Sequence, residues 1–244
     1  MLFRSASESE VGEAYYSGDD YQNYEEESRA VQSEVTSLLA RNAPRGGAVL
    51  DVGCATGDVL AALQTAGWKP TGVDVSEWAV NRARTRLGDV VFQGDVNARG
   101  TPDEVRARGP FDAIVLANVL EHFSDPAAVL AGVAALAAPD ACLIILTTNA
   151  DSLSHRLFGG DWEGPFDWTH RSVDLVSASW LRTTLVSQGW RVAELETWHY
   201  WHAGDDPAYT MFRDWLGADA RFRLMLGERD LGDLVRCVAV RGRV

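Results

Sequence analysis

Three aspartates stand at or just past the ends of short apolar runs: Asp51 in A-V-L-D-V, Asp74 in T-G-V-D-V-S and Asp95 in Q-G-D-V. The first is followed by a glycine-bearing turn, G-C-A-T-G, which predicts a ligand site. Gly53 and Gly57 can take backbone angles denied to other residues and let a ligand approach the main chain. A dinucleotide site of this outline needs G-x-G-x-x-G, with bare helix amides facing a pyrophosphate. Here Ala55 takes the middle glycine position, and Asp58 falls where the next helix should start. A carboxylate there complements the helix dipole but repels a phosphate, so a positively charged ligand suits the site better. Asp74 lies roughly 20 positions beyond the turn, the distance at which an acid accepts both ribose hydroxyls of a nucleoside. It also reads as the N-cap of the following helix, a job that Ser76 can do equally well.

Such residues need a scaffold that gathers strand ends along one edge. Seven short strands are expected, at Ala48–Val52, Pro70–Val75, Val90–Gln93, Phe111–Ala117, Ala141–Thr147, Trp190–Thr197 and Leu234–Arg241, most of them apolar runs bounded by Gly, Pro or Asp. Between the first five lie helical segments near Val59–Ala66, Glu77–Leu87, Pro102–Arg108 and Pro126–Ala138. Strands alternating with helices predict an α/β fold, doubly wound, with helices on both faces of a mostly parallel sheet. In such sheets a ligand binds outside the carboxyl ends of the strands, where the strand order reverses.

The 244 residues fit one domain with elaborations, and a hydrophobic content of 46% supports a sizeable core. No apolar run approaches the roughly 18 residues a membrane span requires. The opening M-L-F-R-S-A-S-E-S-E lacks a signal peptide's apolar core, so a soluble cytoplasmic protein without a membrane partner is expected. A net charge of −13, with lysine only at Lys69, disfavours nucleic acid as a partner, because phosphate contacts demand clustered Lys and Arg. Cys54, Cys142 and Cys237 sit in or beside strand segments without C-x-x-C pairing and read as buried thiols. Histidines and acids show no diagnostic ligand spacing, and no metal is expected.

The stretch from Asp51 to Gly57 resembles the first motif of the class I S-adenosylmethionine-dependent methyltransferases, D/E-x-G-x-G-x-G, with Asp51, Gly53, Ala55 and Gly57 on its four positions. The segment F-D-A-I-V-L-A-N-V-L-E-H-F-S-D-P is similar to a strand and Pro-started helix of the ubiquinone-biosynthesis O-methyltransferase type, matching at Val119, Leu120, Glu121 and His122. The resemblance implies a seven-stranded sheet whose last strand is antiparallel, with helical lid insertions. It implies S-adenosylmethionine as cofactor, held by Asp51, Gly53, Cys54, Ala55 and Gly57, by Asp74 and Val75, by Asp95 and Val96 at the adenine, by Asn118 at the methionine end, and by Tyr24 of an N-terminal lid over residues 1–41. The cofactor core is then 42–148, and the stretches 149–172 and 203–233 build the substrate chamber. Asp112 reads as a structural residue at its strand's start.

Methyl transfer from a sulfonium is an in-line displacement on an activated carbon, so a protein mainly supplies proximity, alignment and a dry chamber. A hydroxyl acceptor additionally needs its proton removed, and histidine is best matched to that near neutral pH. In S-H-R-L-F-G-G-D-W-E-G-P-F-D-W-T-H, His170 ends an aromatic loop and is the first candidate base, the alternative being a cap for a helix opening near Ser172. His122 is the second candidate and equally a structural histidine; His155 reads as surface or cofactor-side decoration. The run W-H-Y-W-H from Trp198 to His202 places aromatic side chains where a flat acceptor would stack, or packs the core. The expected activity is methyl transfer to a hydroxyl oxygen of a small-molecule metabolite by a monomer or homodimer. Nitrogen or carboxyl methylation, or cofactor binding without chemistry, are the alternatives.

Overall fold

The computed structural model describes residues 24–43, 46–96, 100–158, 176–198, 210–211 and 213–242. Helix α1 (Tyr24–Asn42) leads into β1 (Ala48–Val52), α2 (Asp58–Thr65), β2 (Lys69–Asp74), α3 (Glu77–Leu87) and β3 (Val91–Gln93). The short α4 (Asp103–Arg106) precedes β4 (Phe111–Ala117), a 3-10 turn (Leu120–His122), α5 (Pro126–Leu136) and β5 (Ala137–Thr148). Then come α6 (Leu153–Phe158), α7 (Ala178–Ser187), β6 (Trp190–Trp198), a π-helical turn (Arg213–Gly217), α8 (Ala220–Glu228) and β7 (Leu234–Arg241).

One seven-stranded sheet results, in the order β3-β2-β1-β4-β5-β7-β6. The pairs from β3 through β5 are parallel, and β7 runs antiparallel between β5 and β6. Chain order therefore reverses between β1 and β4, which opens the crevice at their carboxyl ends. Alternation along each strand sends neighbouring residues to opposite faces. Leu50, Ile114, Leu116, Leu143 and Ile145 pack with α5 and α7 on one side, while Val49, Val115, Cys142 and Ile144 pack with α1 and α2 on the other. No described helix is long and apolar enough to cross a membrane.

Two expectations change. Helix α1 was expected within a lid, but Val35, Leu38 and Leu39 are fully buried against β1, β4 and β5. Burying three such side chains contributes on the order of 6 kcal/mol. Polar bonds reinforce it: Arg236 on β7 pairs with both Glu34 of α1 and Glu196 of β6, and Asn42 donates to Glu194 at 3.3 Å. From Val31 onward α1 is a core element; residues 1–23 lie outside the described residues. The second change is at β5, which begins at Ala137 instead of Ala141. Ala137 pairs with Phe111 and Cys142 with Ala113, so the residues between bulge out around Asp140, whose φ is 66°. Pairing to β4 overrides the helix preference of the alanine run.

Local signals account for the helix starts. Ser76 caps α3 by accepting from the Ala79 amide, Asp125 caps α5 ahead of Pro126, and Ser177 caps α7. Asp112 accepts from the Ala48 amide at 2.8 Å and fills the space beside Gly47, tying the start of β4 to the start of β1. Asn149, fully buried, donates to the carbonyls of Asp230 and Gly232 and accepts from the amides of Asp151 and Ala178. One side chain thus fixes the exit of β5, the start of α7 and the approach to β7.

Candidate active site

The carboxyl ends of β1, β2 and β4 carry the turn, Asp74 and the 118–122 segment. At the turn, the amides of Gly53 and Cys54 donate to the Val73 carbonyl at 2.8 and 3.2 Å, and the Gly57 amide donates to the Cys54 carbonyl at 2.8 Å. Both glycines adopt left-handed angles, φ 72° at Gly53 and 81° at Gly57. Neighbouring side chains also exclude any larger residue. A Cβ on Gly53 would lie 2.3 Å from Val119, and one on Gly57 would lie 2.7 Å from Leu87. The glycines therefore let the turn seat against β4's exit loop and α3, where open space for a ligand was expected.

Ala55 holds φ at 45° without being glycine, a conformation that costs roughly 1–2 kcal/mol. Its amide donates to Asp74 Oδ2 at 2.9 Å, and the Ser76 amide donates to Oδ1 at 2.9 Å. Asp74 is thus the brace of the turn, while Ser76 caps the helix. Burial pushes the Asp74 carboxyl above its ordinary range, against the pull of those two amides and of nearby His122. Each oxygen keeps a second lone pair for a ligand hydroxyl. Removing the acid in Asp74→Ala leaves both amides without their acceptor, and ligand affinity is expected to fall by about 1–3 kcal/mol. Calorimetric titration checks this; unchanged affinity takes Asp74 out of the site.

Asp51 is 2% exposed and makes no side-chain hydrogen bond among the described residues. Its cross-strand neighbours are Gly72 and Val115, neither of which offers a side-chain donor. Burial pushes its carboxyl up to about 8, and the charge of Asp74 adds to the shift. A carboxyl in this state suits a ligand that brings a cation or a donor.

Several of the expected contact residues also have neighbours within the fold. The Cys54 thiol packs with Leu60, Val80, Ala83 and Val91, beneath α2 and α3, and burial drives its ionisation well up. Val96 is fully buried in the core beyond Asp95, and the Val75 carbonyl accepts from Gln93 at 3.3 Å. Asp58 was expected to act by repelling phosphate. Instead it pairs with Arg86 at 2.7 Å and accepts from the Thr56 hydroxyl at 3.1 Å, so its charge is offset.

Asn118 leaves β4 with φ 52° and donates its amide to the Leu146 carbonyl at 2.8 Å. It is exposed on the crevice rim. The next turn carries Glu121, a buried acid that accepts from the Thr147 hydroxyl at 2.8 Å and anchors this segment to β5. In the sequence Glu121 stands only as part of V-L-E-H, an acid set among apolar residues just past a strand end. His122 is half-buried and close enough to Asp74 for their charges to interact. His155 places Nδ1 2.9 Å from the Ala150 carbonyl. Tyr24 opens α1, with its side chain outside the described residues, as are His170, His199 and His202. Among the described residues no group of three or more His, Cys, Asp or Glu is placed to hold a metal ion.

With this geometry in view, residues 23–195 match the family described as "Methyltransferase domain". The chain belongs to the methyltransferase family. Among curated proteins it is 31% identical over 155 residues to the ubiquinone biosynthesis O-methyltransferase of Xanthomonas campestris pv. campestris, a match covering 60% of this chain and 65% of that relative. The chain thus spans less than two thirds of that relative's length. Among solved structures, magnesium protoporphyrin IX methyltransferase from Synechocystis PCC 6803 superposes with a TM-score of 0.57 at 21% identity, covering 88% of this chain and 84% of that one. A SAM-dependent methyltransferase from Archaeoglobus fulgidus gives a TM-score of 0.58 at 19% identity, covering 91% of this chain and all of its own. The methyl donor of the family is S-adenosylmethionine. Its ammonium and sulfonium fit a methyltransferase site in which Asp51 is buried with no donor among the described residues, and its ribose hydroxyls fit the remaining lone pairs of Asp74.

Proposed function

We propose that this methyltransferase moves the methyl group of S-adenosylmethionine to a hydroxyl oxygen of a small-molecule metabolite. Support for oxygen as the acceptor comes from the curated relative at 31% identity, named for O-methylation. S-adenosylmethionine supplies an activated methyl carbon that leaves its sulfur as an uncharged thioether. The chain's own residues do the rest. Asp74 braces the turn and receives the ribose, Asp51 meets the cationic end, and Asp95 reads the adenine amino group. Asn118 lies on the rim toward the methionine end.

His170 takes the acceptor's proton, with His122 as the second candidate. The loop that carries His170 leaves the described residues at Phe158 and returns at Val176, whose carbonyl accepts from the Ala150 amide just beyond β5. That bond sets Val176 beside the end of β5, at the carboxyl edge of the sheet. The aromatic residues Trp162, Phe166 and Trp168 precede His170 and suit a flat acceptor.

Incubating the protein with S-adenosylmethionine and a panel of phenols, amines and carboxylates, and following S-adenosylhomocysteine release, tests the assignment. Turnover confined to hydroxyl compounds is expected. Turnover only with amines or carboxylates would move the acceptor atom, and cofactor binding without turnover on any acceptor would favour a binding role.

A further inference from the structure

Asp51 has a property that cofactor binding alone does not require. Its carboxyl is 2% exposed and flanked by Gly72 on β2 and Val115 on β4. Its closest electrostatic neighbour, Asp74, is also an acid, and both Asp74 oxygens are already committed to the amides of Ala55 and Ser76. The other titratable groups facing the pair are the Cys54 thiol on the turn and His122 on the segment after β4, and the latter acts on Asp74. None of the ion pairs among the described residues involves Asp51 or Asp74.

Asp74 accepts from two amides, and Asp51, which feels its charge, accepts from no donor among the described residues. Two like charges in so dry a setting cannot both persist without a cation. Burial, with the Asp74 charge as the second cause, accordingly pushes the Asp51 carboxyl up to about 8.

We propose that binding of S-adenosylmethionine expels one proton from Asp51. The free protein holds Asp51 as a neutral carboxylic acid; when the ligand's ammonium arrives, the O–H bond breaks, the electron pair stays on the carboxylate, and the proton passes to the buffer. Asp51 then forms a charge-assisted pair with the ammonium. The inference rests on S-adenosylmethionine being the ligand of this site. It makes the cofactor a conditional guest: affinity rises about tenfold per pH unit on the acid side of the Asp51 transition and levels off above it. S-adenosylhomocysteine keeps the ammonium and lacks the sulfonium, so it should expel the same proton.

Titration calorimetry in two buffers of different ionisation enthalpy counts the protons directly. Near pH 7 the protein should release close to one proton per S-adenosylmethionine bound, and Asp51→Asn should release none. Because that variant can bind weakly, carboxyl-carbon NMR on the aspartate-labelled free protein provides the second measurement. One aspartate should titrate near pH 8 in the free protein, be absent from Asp51→Asn, and show its ionised shift at pH 7 once cofactor is bound. Cofactor binding without proton release, or release that persists in Asp51→Asn, overturns the inference and leaves the cofactor assignment standing. Failure of S-adenosylmethionine to bind at all overturns both.

Discussion

Turnover should fall about 10²- to 10⁴-fold in His170→Ala, with cofactor affinity close to that of the parent, when a hydroxyl acceptor is used and chemistry limits the rate. That range is what a positioned base contributes. An unperturbed imidazole, near 6.5, accepts a proton around neutrality and returns it to water without a large penalty. The competing role, a cap for a helix opening near Ser172, lies outside the described residues; α7 takes its own cap from Ser177. Cofactor affinity separates the remaining explanations, because a merely structural role would lower binding together with turnover. A joint fall of turnover and affinity would mark His170 as a structural residue of the loop. Near-normal turnover would pass the role to His122, and His122→Ala would then show the kinetic loss. In that variant the pH profile should also shift, since His122 interacts with Asp74.

Much of the cofactor half was legible because its signals are local. The bounds of β1, β4 and β7 follow directly from apolar runs stopped by Gly, Pro or Asp. Ser76 as helix cap and Asp112 as strand-start tie depend on side chains bonding to main chain of predictable geometry. The antiparallel β7 came from family resemblance, since alternation does not reveal strand direction.

What was not legible depends on partners distant in sequence. Asp58 reads as a bare carboxylate at a helix start until Arg86, from the last turn of α3, is brought beside it. The glycines of the turn suggest room for a ligand, but Val119 and Leu87 lie where a Cβ would go. The amphipathic stretch before β1 suits either a lid or a core helix; three fully buried side chains decide for the core. Asp51 is the strongest instance. Its place in the motif suggests an ordinary carboxylate, and only its burial without a donor among the described residues, with Asp74 alongside, predicts a protonated one.

That protonation should be visible in the stability of the protein without cofactor. An unfolded aspartate ionises near 3.9, whereas Asp51 in the fold holds its proton up to about 8. Between those values the folded state carries a proton that the unfolded chain has lost. Stability from this group is therefore complete below about pH 4 and declines as pH rises, by roughly 1.4 kcal/mol per unit, until the folded carboxyl ionises. By pH 8 the accumulated loss is on the order of several kcal/mol. Asp51→Asn removes the titration while nearly keeping the shape. The variant carries a constant cost for its unpaired amide, so the decisive quantity is the difference between the two pH profiles. Between pH 5 and 8 that difference should move in favour of the variant by a few kcal/mol, equivalent to several degrees at roughly 2–4 °C per kcal/mol for a chain of this size. Saturating S-adenosylmethionine should reverse the ranking at pH 8, because ligand linkage stabilises the parent far more than a variant that binds poorly. Denaturant unfolding at both pH values, with and without cofactor, makes the comparison. Parallel pH profiles for the two free proteins would show that Asp51 is ionised in the fold and that a donor satisfies it.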